Sequence, residues 1–402
     1  MSVDGNSKYV IKQPKNKVCS NPIWGEGGIK HEFEMLDKYK DNIKFQQGIS
    51  LMETWEGNFY MVSKFETGNP AGKNAHGFNE LTQEGIKDTL NILDDMDEEQ
   101  VFNADWNIGN IFYKGDKYYP KMLDLQWAYP TSRADDYFHF IPGEKRTNIA
   151  SYEMGTVGTY LRHLYEKTGS KKQTREFLKN YLMERAKHCD TSNRLEGIRK
   201  AVYQNPTEDV LDAEILRLSI LKNHIHQFLY LDIRNEEPRD MLKMLRYQAR
   251  GNFAAKQLYN FQPQRPHSQT SPEEDVYFEE MHKFGRNWYS CTRDWYKGSI
   301  DWMTKLVAQD ELQNHRTGFF YWPELFGTGI SKNDFSDKMK LYDLLSEGAQ
   351  HEYNSLYNDV NKNIAELECR FIRFKDEVEA GNFSNQDMHR LKIDVLTSRV
   401  II

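Results

Sequence analysis

Apolar and polar positions follow two different patterns along the chain, and the change falls near residue 140. Before that point, residues 48–68 carry short apolar runs around a turn at Gly57, which predicts two antiparallel β-strands. Between residues 78 and 101, apolar side chains return at helical spacing, which predicts an amphipathic helix. The first part of the chain is therefore predicted to be α+β.

Beyond residue 141 the pattern is almost entirely helical. The expected helices cover 150–167, 171–188, 192–203, 207–233 and 236–260. Three prolines and no apolar side chain in 262–272 predict a linker. Apolar residues from Tyr353 to Val378 alternate steps of four and three, which indicates a helical seam. A long hairpin within a bundle is the preferred interpretation, and association with a protein partner is the alternative.

These patterns predict three domains. A mixed core of 1–141 divides into an N-terminal part, 1–68, and a second part, 69–141. A helical extension, 142–262, and a C-terminal helical domain with a long hairpin, 273–402, follow.

Composition narrows the class of protein. The chain has 402 residues, of which 39% are hydrophobic and 28% charged, enough for more than one core. A net charge of −7 argues against a general nucleic-acid binder, and no apolar run is long enough to span a membrane. Four widely separated cysteines predict neither disulfides nor zinc. We expect a cytoplasmic protein, or one secreted into a host cytosol as an effector.

Three oxygen-bearing side chains stand next to short apolar runs in the first part of the chain. Asn110 comes five residues after Asp105, and Asp124 follows fourteen residues later. Strand ends place such side chains at the mouth of one cleft. Phosphoryl transfer needs a carboxylate to orient and deprotonate a hydroxyl, together with further oxygen ligands for Mg²⁺.

At these residues the sequence resembles the protein-kinase-like superfamily, in particular its aminoglycoside/choline-kinase branch and the minimal kinases among bacterial effectors. Asp105 matches the catalytic Asp of that family, and Asn110 and Asp124 match its metal ligands. Gly109 stands directly before Asn110, as is typical of small-molecule kinases. The resemblance covers the part before residue 140 and implies ATP and Mg²⁺ as cofactors.

The resemblance also implies a pair of residues for the nucleotide phosphates. Lys12 ends a short apolar strand and lies 93 residues before Asp105, as the phosphate-binding lysine of the family does. On the helix predicted to begin at Ile29, Glu32 is preferred as the ion-pair partner of Lys12, and Glu34 is the alternative. In the strand that returns to Gly68, Ser63 takes the gatekeeper position. The backbone of Lys64, Phe65 and Glu66 is expected to bind the adenine edge.

Several positions depart from the family pattern. Only eleven residues precede Lys12, so the resemblance implies an N-terminal lobe without a glycine-rich loop. The segment Gly25 to Gly28 is predicted to be a flexible loop, and it could substitute for that cover. Asn103 and Ala104 replace the usual residues before the catalytic Asp. The expected fold is a truncated bilobal kinase-like α+β domain followed by a large all-α extension.

The expected function is transfer of the ATP γ-phosphoryl group to a hydroxyl of a protein or small-molecule acceptor. One alternative is a pseudokinase that acts as a binding scaffold through its C-terminal helices. The other is a kinase-fold enzyme that transfers AMP or glutamate. The acidic run 94–99 is predicted to be a solvated turn, and His224 and His226 lie on different sides of a helix, so no shared metal is expected there.

Overall fold

The computed structural model describes residues 8–13, 26–42, 44–55, 57–66, 68–70, 81–113, 121–133, 146–231, 251, 254–290 and 343–350. The chain divides into two compact units, Met1–Asn205 and Pro206–Ile402. The domain boundaries at residues 141 and 262 differ from this division and stay predictions. The fold is mixed α+β, rich in helix, with small antiparallel sheets.

The first unit begins with a three-stranded antiparallel sheet. Strand β3 (Phe59–Lys64) lies between β1 (Tyr9–Lys12) and β2 (Gly48–Glu53), so the predicted hairpin of β2 and β3 is confirmed. Helix α1 (Glu26–Lys38) packs against β2 and β3 with Leu36 fully buried. Lys12 lies on β1, an edge strand that pairs with the central strand β3.

Helix α1 begins three residues before the predicted start at Ile29. The expectation of a flexible loop at Gly25 to Gly28 was therefore wrong for residues 26–28, which form the first turn of the helix. Gly28 is buried, so tertiary packing outweighs the low helix propensity of glycine there. Gly25 lies outside the described residues.

Five further short strands follow in the described part of this unit: β4 (Asn69–Pro70), β5 (Val101–Asn103), β6 (Ile111–Tyr113), β7 (Lys121–Met122) and β8 (Ala128–Pro130). They form one sheet in the order β4-β6-β7 and a separate antiparallel pair, β5 with β8. Phe45 forms a parallel bridge with Met122, which ties the segment after α1 to β7. These connections join the sheet that carries Lys12 to the strands that lead to Asp124.

Six helical segments complete the first unit: α2 (Gln83–Glu98), α3 (Thr147–Tyr152), a π-helical turn (Glu153–Val157), α4 (Gly158–Thr168), α5 (Lys171–Arg185) and α6 (Arg194–Tyr203). They confirm the helices predicted between residues 78 and 203. Thr82 and Ser170 cap α2 and α5 by accepting a hydrogen bond from a backbone N–H. Gly169 ends α4 in the left-handed conformation (φ 62°).

The acidic run 94–99 is not a solvated turn, and that prediction was wrong. It lies at the end of α2, where the Arg146 guanidinium donates to Asp94 and Asp97. His188 also contacts Asp94 (2.6 Å). Tertiary partners more than 45 residues away therefore neutralise these carboxylates, a feature that local composition does not reveal.

The second unit is built around α7 (Glu208–Leu231), whose residues 209–221 are buried. Further helical segments cover 254–260, 272–290 and 347–350. Arg265, in the segment predicted as a linker, forms ion pairs with Asp209 (2.9 Å) and Glu274 (2.7 Å). The proline-containing segment is therefore fastened to helices on both of its sides.

Three predictions lie wholly or partly outside the described residues: the first part of the helix predicted at 236–260, the seam from Tyr353 to Val378, and the side chains of His224 and His226. Within the described ranges, none of the helices combines the length and the apolar character needed to cross a membrane.

Candidate functional site

Asp105 lies on the loop that follows β5, and hydrogen bonds fix the main chain of this loop. The Ala104 N–H donates to the Trp127 carbonyl (3.0 Å), and the Asp105 N–H donates to Oδ1 of Asn103 (3.1 Å). Asn103 is itself buried and pairs with Ala128 of β8. The strand pair therefore sets the direction in which the Asp105 side chain leaves the loop.

Two side-chain amides hold the Asp105 carboxylate. Nδ2 of Asn107 donates to Oδ1 (2.9 Å), and Nδ2 of Asn110 donates to Oδ2 (3.1 Å). Burial raises the pKa of Asp105 to about 6, with a further rise from Asp124, while the two amides and Lys12 lower it. Such a group is ionised at pH 7 and readily takes up a proton, as a general base must.

The predicted phosphate lysine and its partner lie together. Nζ of Lys12 donates to both carboxylate oxygens of Glu32, at 2.8 Å and 2.7 Å. The Glu32 side chain is fully buried, whereas 34% of the Lys12 side chain is exposed. Glu34, the alternative partner, is exposed on α1. The geometry thus selects Glu32 and leaves the ammonium accessible from solvent.

Asp124 completes this group from the other side. Its Oδ1 lies 3.1 Å from Lys12 Nζ, yet this buried oxygen accepts no properly aligned hydrogen bond. Asp124 has a left-handed backbone (φ 60°), which is uncommon for a residue with a side chain. Strained backbone of this kind is concentrated at functional sites, where the surrounding structure stabilises it.

The pKa values show how Lys12 and its neighbours share charge. Burial lowers the pKa of Lys12, but Glu32 and Asp124 outweigh burial, so the pKa lies above its usual value. Burial, followed by the charge of Asp124, raises the pKa of Glu32 to about 7, although Lys12 opposes this rise. The two shifts favour opposite states of the pair. Because the ammonium donates to both Glu32 oxygens, we take the ionic state as the one present.

The Lys12 ammonium forms ion pairs with Glu32 and Asp124, and its charge also acts on Asp105. Three carboxylates and one ammonium leave negative charge in excess among these four side chains. Burial is the main cause of the raised pKa values of Glu32 and Asp105, and the negative charge of Asp124 raises them further. A divalent cation bound here would remove that excess.

The predicted metal ligands come together through the backbone. The Leu123 N–H donates to the Asn110 carbonyl (2.8 Å), which places Asn110 beside the residue before Asp124. Nδ2 of Asn110 donates a hydrogen bond to Asp105, so Asn110 would bind a metal through its Oδ1.

Among the described residues, no group of three or more His, Cys, Asp or Glu side chains is placed to hold a metal ion. Magnesium that binds with a nucleotide needs only one or two carboxylates, because phosphate oxygens and water complete its coordination. Asp124 and Asn110 fit that arrangement, with Oδ1 of Asp124, which pairs with Lys12 but accepts no aligned hydrogen bond, as the first ligand.

The predicted adenine-binding segment is largely occupied by contacts within the protein. Ser63 is buried, and its Oγ accepts from Nε2 of Gln46 (3.0 Å). The Lys64 N–H donates to the Gln47 carbonyl, and the Phe65 N–H donates to the Lys8 carbonyl, both at 2.9 Å. The Lys64 carbonyl accepts from Gln46 as well (3.3 Å). An adenine that used these two N–H groups would have to replace bonds within the sheet.

Sequence reasoning missed the residues that support the loop from behind. Oδ1 of the fully buried Asn148 accepts from the Asn103 N–H (3.0 Å) and from Trp106 Nε1 (3.3 Å). Thr156 Oγ1 donates to the Trp106 carbonyl (2.5 Å), and a Cβ added to Gly155 would lie 2.4 Å from the same oxygen. A π-helical turn, which is frequent at functional sites, brings residues 155 and 156 to the loop.

A pocket of about 150 Å³ lies in the second unit. Its described lining is apolar or carboxamide in character: Leu216, Gln257, Phe261, Gln262, Gln264, Leu345, Gly348 and Ala349. None of these side chains is ionisable. Charge-dependent chemistry therefore has its best candidate at Asp105 and Lys12 in the first unit.

Comparison with known proteins adds no assignment: no family model matches the chain, and no curated protein matches it in sequence.

Proposed function

We propose that this protein is a kinase-like phosphotransferase that moves the γ-phosphoryl group of ATP to a hydroxyl of a protein or small-molecule acceptor. The observation that carries the proposal is the cluster in which Lys12 forms ion pairs with Glu32 and Asp124 and lies close enough to Asp105 for its charge to lower the Asp105 pKa. This group combines a partly exposed lysine for phosphates, a carboxylate with a pKa of about 6 and a further carboxylate, that of Asp124, for a metal.

Each side chain has a defined role in the proposed reaction, and Asn110 has two. Asp105 accepts the proton of the attacking hydroxyl, and Asn107 and Asn110 keep its carboxylate in one orientation. Lys12 binds phosphate oxygens, and Glu32 fixes the position of its ammonium. Mg²⁺, held by Asp124 and Asn110, would neutralise charge on the phosphates.

In this proposal the sheet of β1, β3 and β2 with helix α1 corresponds to the small lobe of a bilobal kinase-like domain. Strands β5 to β8 and the helices that follow correspond to the helical lobe. The supporting observation is that the five residues chosen from the sequence come from four separate segments and meet in one place: Lys12, Glu32, Asp105 together with Asn110, and Asp124.

The products formed from ATP test this proposal without knowledge of the acceptor, because water can replace a hydroxyl at a low rate. Wild type, Asp105→Asn and the exposed control Glu34→Ala are incubated with ATP and Mg²⁺, and the nucleotide products are separated. We expect ADP and phosphate from wild type and control, and a strongly reduced yield from Asp105→Asn.

Other outcomes select the alternatives. Release of AMP and pyrophosphate would indicate transfer of AMP. Nucleotide binding without any Asp105-dependent product would favour a pseudokinase scaffold and contradict the proposed reaction.

A further inference from the structure

Helix α1, which carries Glu32, is attached to two different sheets by adjacent side chains. The ammonium of Lys30 lies 3.6 Å from the centroid of the Phe59 ring on β3. His31 turns the other way: its Nε2 donates to the Ala128 carbonyl of β8, and its ring stacks on Tyr129 with centroids 5.3 Å apart and an angle of 19°. The helix thus bridges the sheet of Lys12 and the strand pair of Asp105.

The contact partners of His31 belong to the strand that positions the catalytic loop. Ala128 pairs with Asn103, and Tyr129 pairs with Phe102 on β5. Asn103 accepts the hydrogen bond of the Asp105 N–H. Contacts therefore connect His31, which is next to Glu32 in the sequence, to Asp105, the proposed general base.

We propose that His31 is a positioning residue that sets the distance between the Lys12–Glu32 pair and Asp105. The inference rests on the proposed function for its effect on turnover. Lys12 contacts both Glu32 and Asp124 directly, so these three side chains keep their arrangement without His31. Asp105 has no direct contact with α1 in the described hydrogen bonds, and the strand pair that carries it needs a separate attachment to the helix.

The geometric part of the inference is tested by hydrogen exchange, which requires no nucleotide. His31→Ala removes the hydrogen bond and the stacked ring, His31→Phe keeps a ring and removes the hydrogen bond, and Glu34→Ala is the control on the same helix. We expect amides of α1 to exchange about tenfold faster in His31→Ala, with an intermediate change in His31→Phe. Peptides from α5 should exchange as in wild type in all three variants.

Unchanged amide exchange in α1 would overturn the inference. An equal acceleration of exchange in α1 and α5 would also overturn it, because that result means only general destabilisation.

The functional part is tested by measuring KM and kcat separately for ATP with Mg²⁺. For His31→Ala we expect kcat to fall about tenfold while KM for ATP changes less than twofold, since the nucleotide contacts remain.

A rise in KM with unchanged kcat would contradict a positioning role toward Asp105. A wild type without turnover would contradict the proposed function instead, and the exchange result would still decide whether His31 attaches α1 to β8.

Discussion

Two ionic clusters of the first unit, one buried and one partly exposed, differ in their ratio of positive to negative side chains. In the structural cluster (Arg185, Glu196 and Arg199), Glu196 accepts from Arg185 at 2.7 Å and 2.8 Å and from Arg199 at 2.8 Å. Burial raises the pKa of Glu196, but the two guanidinium groups outweigh burial and lower it to about 2. In the site cluster (Lys12, Glu32, Asp105 and Asp124), the pKa values of Glu32 and Asp105 are raised to about 7 and about 6.

The difference shows which cluster stabilises the fold and which one is available for chemistry. Two cations on one carboxylate hold it permanently ionised and contribute stability. One cation on several carboxylates leaves them close to neutral pKa, at a cost in stability that functional sites often carry. The following substitutions test this contrast.

The largest effect is expected for Asp105→Asn. The amide has nearly the same shape but accepts no proton, so turnover should fall about 10²- to 10⁴-fold. Product formation from ATP measures it, with circular dichroism to show that the fold is kept. Turnover within about twofold of wild type would remove Asp105 from the role of general base.

In the structural cluster, Glu196→Gln should strongly reduce the free energy of unfolding. The fully buried Arg185 would lose its principal counter-charge, which typically costs about 3–5 kcal/mol. The matched change Glu32→Gln should cost about 1 kcal/mol or less, because Lys12 reaches solvent. Urea unfolding of both variants measures the difference, and equal losses would show that the two clusters do not differ as described.

The support of the catalytic loop is tested by Gly155→Ala. The added methyl would press on the Trp106 carbonyl, so we expect a loss of about 1–3 kcal/mol in the free energy of unfolding and reduced turnover. Gly197→Ala is the control, since no atom lies within 4 Å of its Cβ position in α6. It should be neutral or stabilising by up to about 1 kcal/mol. Similar results for the two variants would argue against close packing behind the loop.

The last prediction concerns the pH dependence of the free energy of unfolding. Folding raises the pKa of Asp105 from 3.8 to about 6, so the folded state binds its proton more tightly than the unfolded state between these pH values. The ionised side chain therefore lowers stability increasingly from pH 4 to pH 6. Relative to wild type, Asp105→Asn should gain about 2 kcal/mol over that range and level off above it. A pH-independent difference in thermal unfolding would contradict the raised pKa.

The resemblance to a kinase motif was sufficient to choose Lys12, Glu32, Asp105, Asn110 and Asp124, because the last three stand at the intervals of that motif and the first two could be located from them. The helices after residue 146 followed from periodicity, since their apolar faces are regular. Catalytic activity, ATP and Mg²⁺ stay predictions.

The residues that support the site could not be predicted in the same way. Asn148 holds Asn103 from 45 residues away, and His31 reaches Ala128 from 97 residues away. Neither has a local pattern, because tertiary packing alone creates its partners. The acidic run 94–99 was misinterpreted for the same reason: Arg146, which neutralises it, is distant in the sequence.

The most direct test of the central claim is calorimetric titration of ATP, with Mg²⁺ and with EDTA, into wild type and Asp124→Ala. If the site cluster binds a nucleotide together with its metal, wild type should bind ATP with Mg²⁺, more weakly with EDTA, and Asp124→Ala should lose the dependence on Mg²⁺. Equal binding by both proteins under both conditions, or no binding by wild type at millimolar ATP, would contradict a metal-nucleotide site at Lys12 and Asp124.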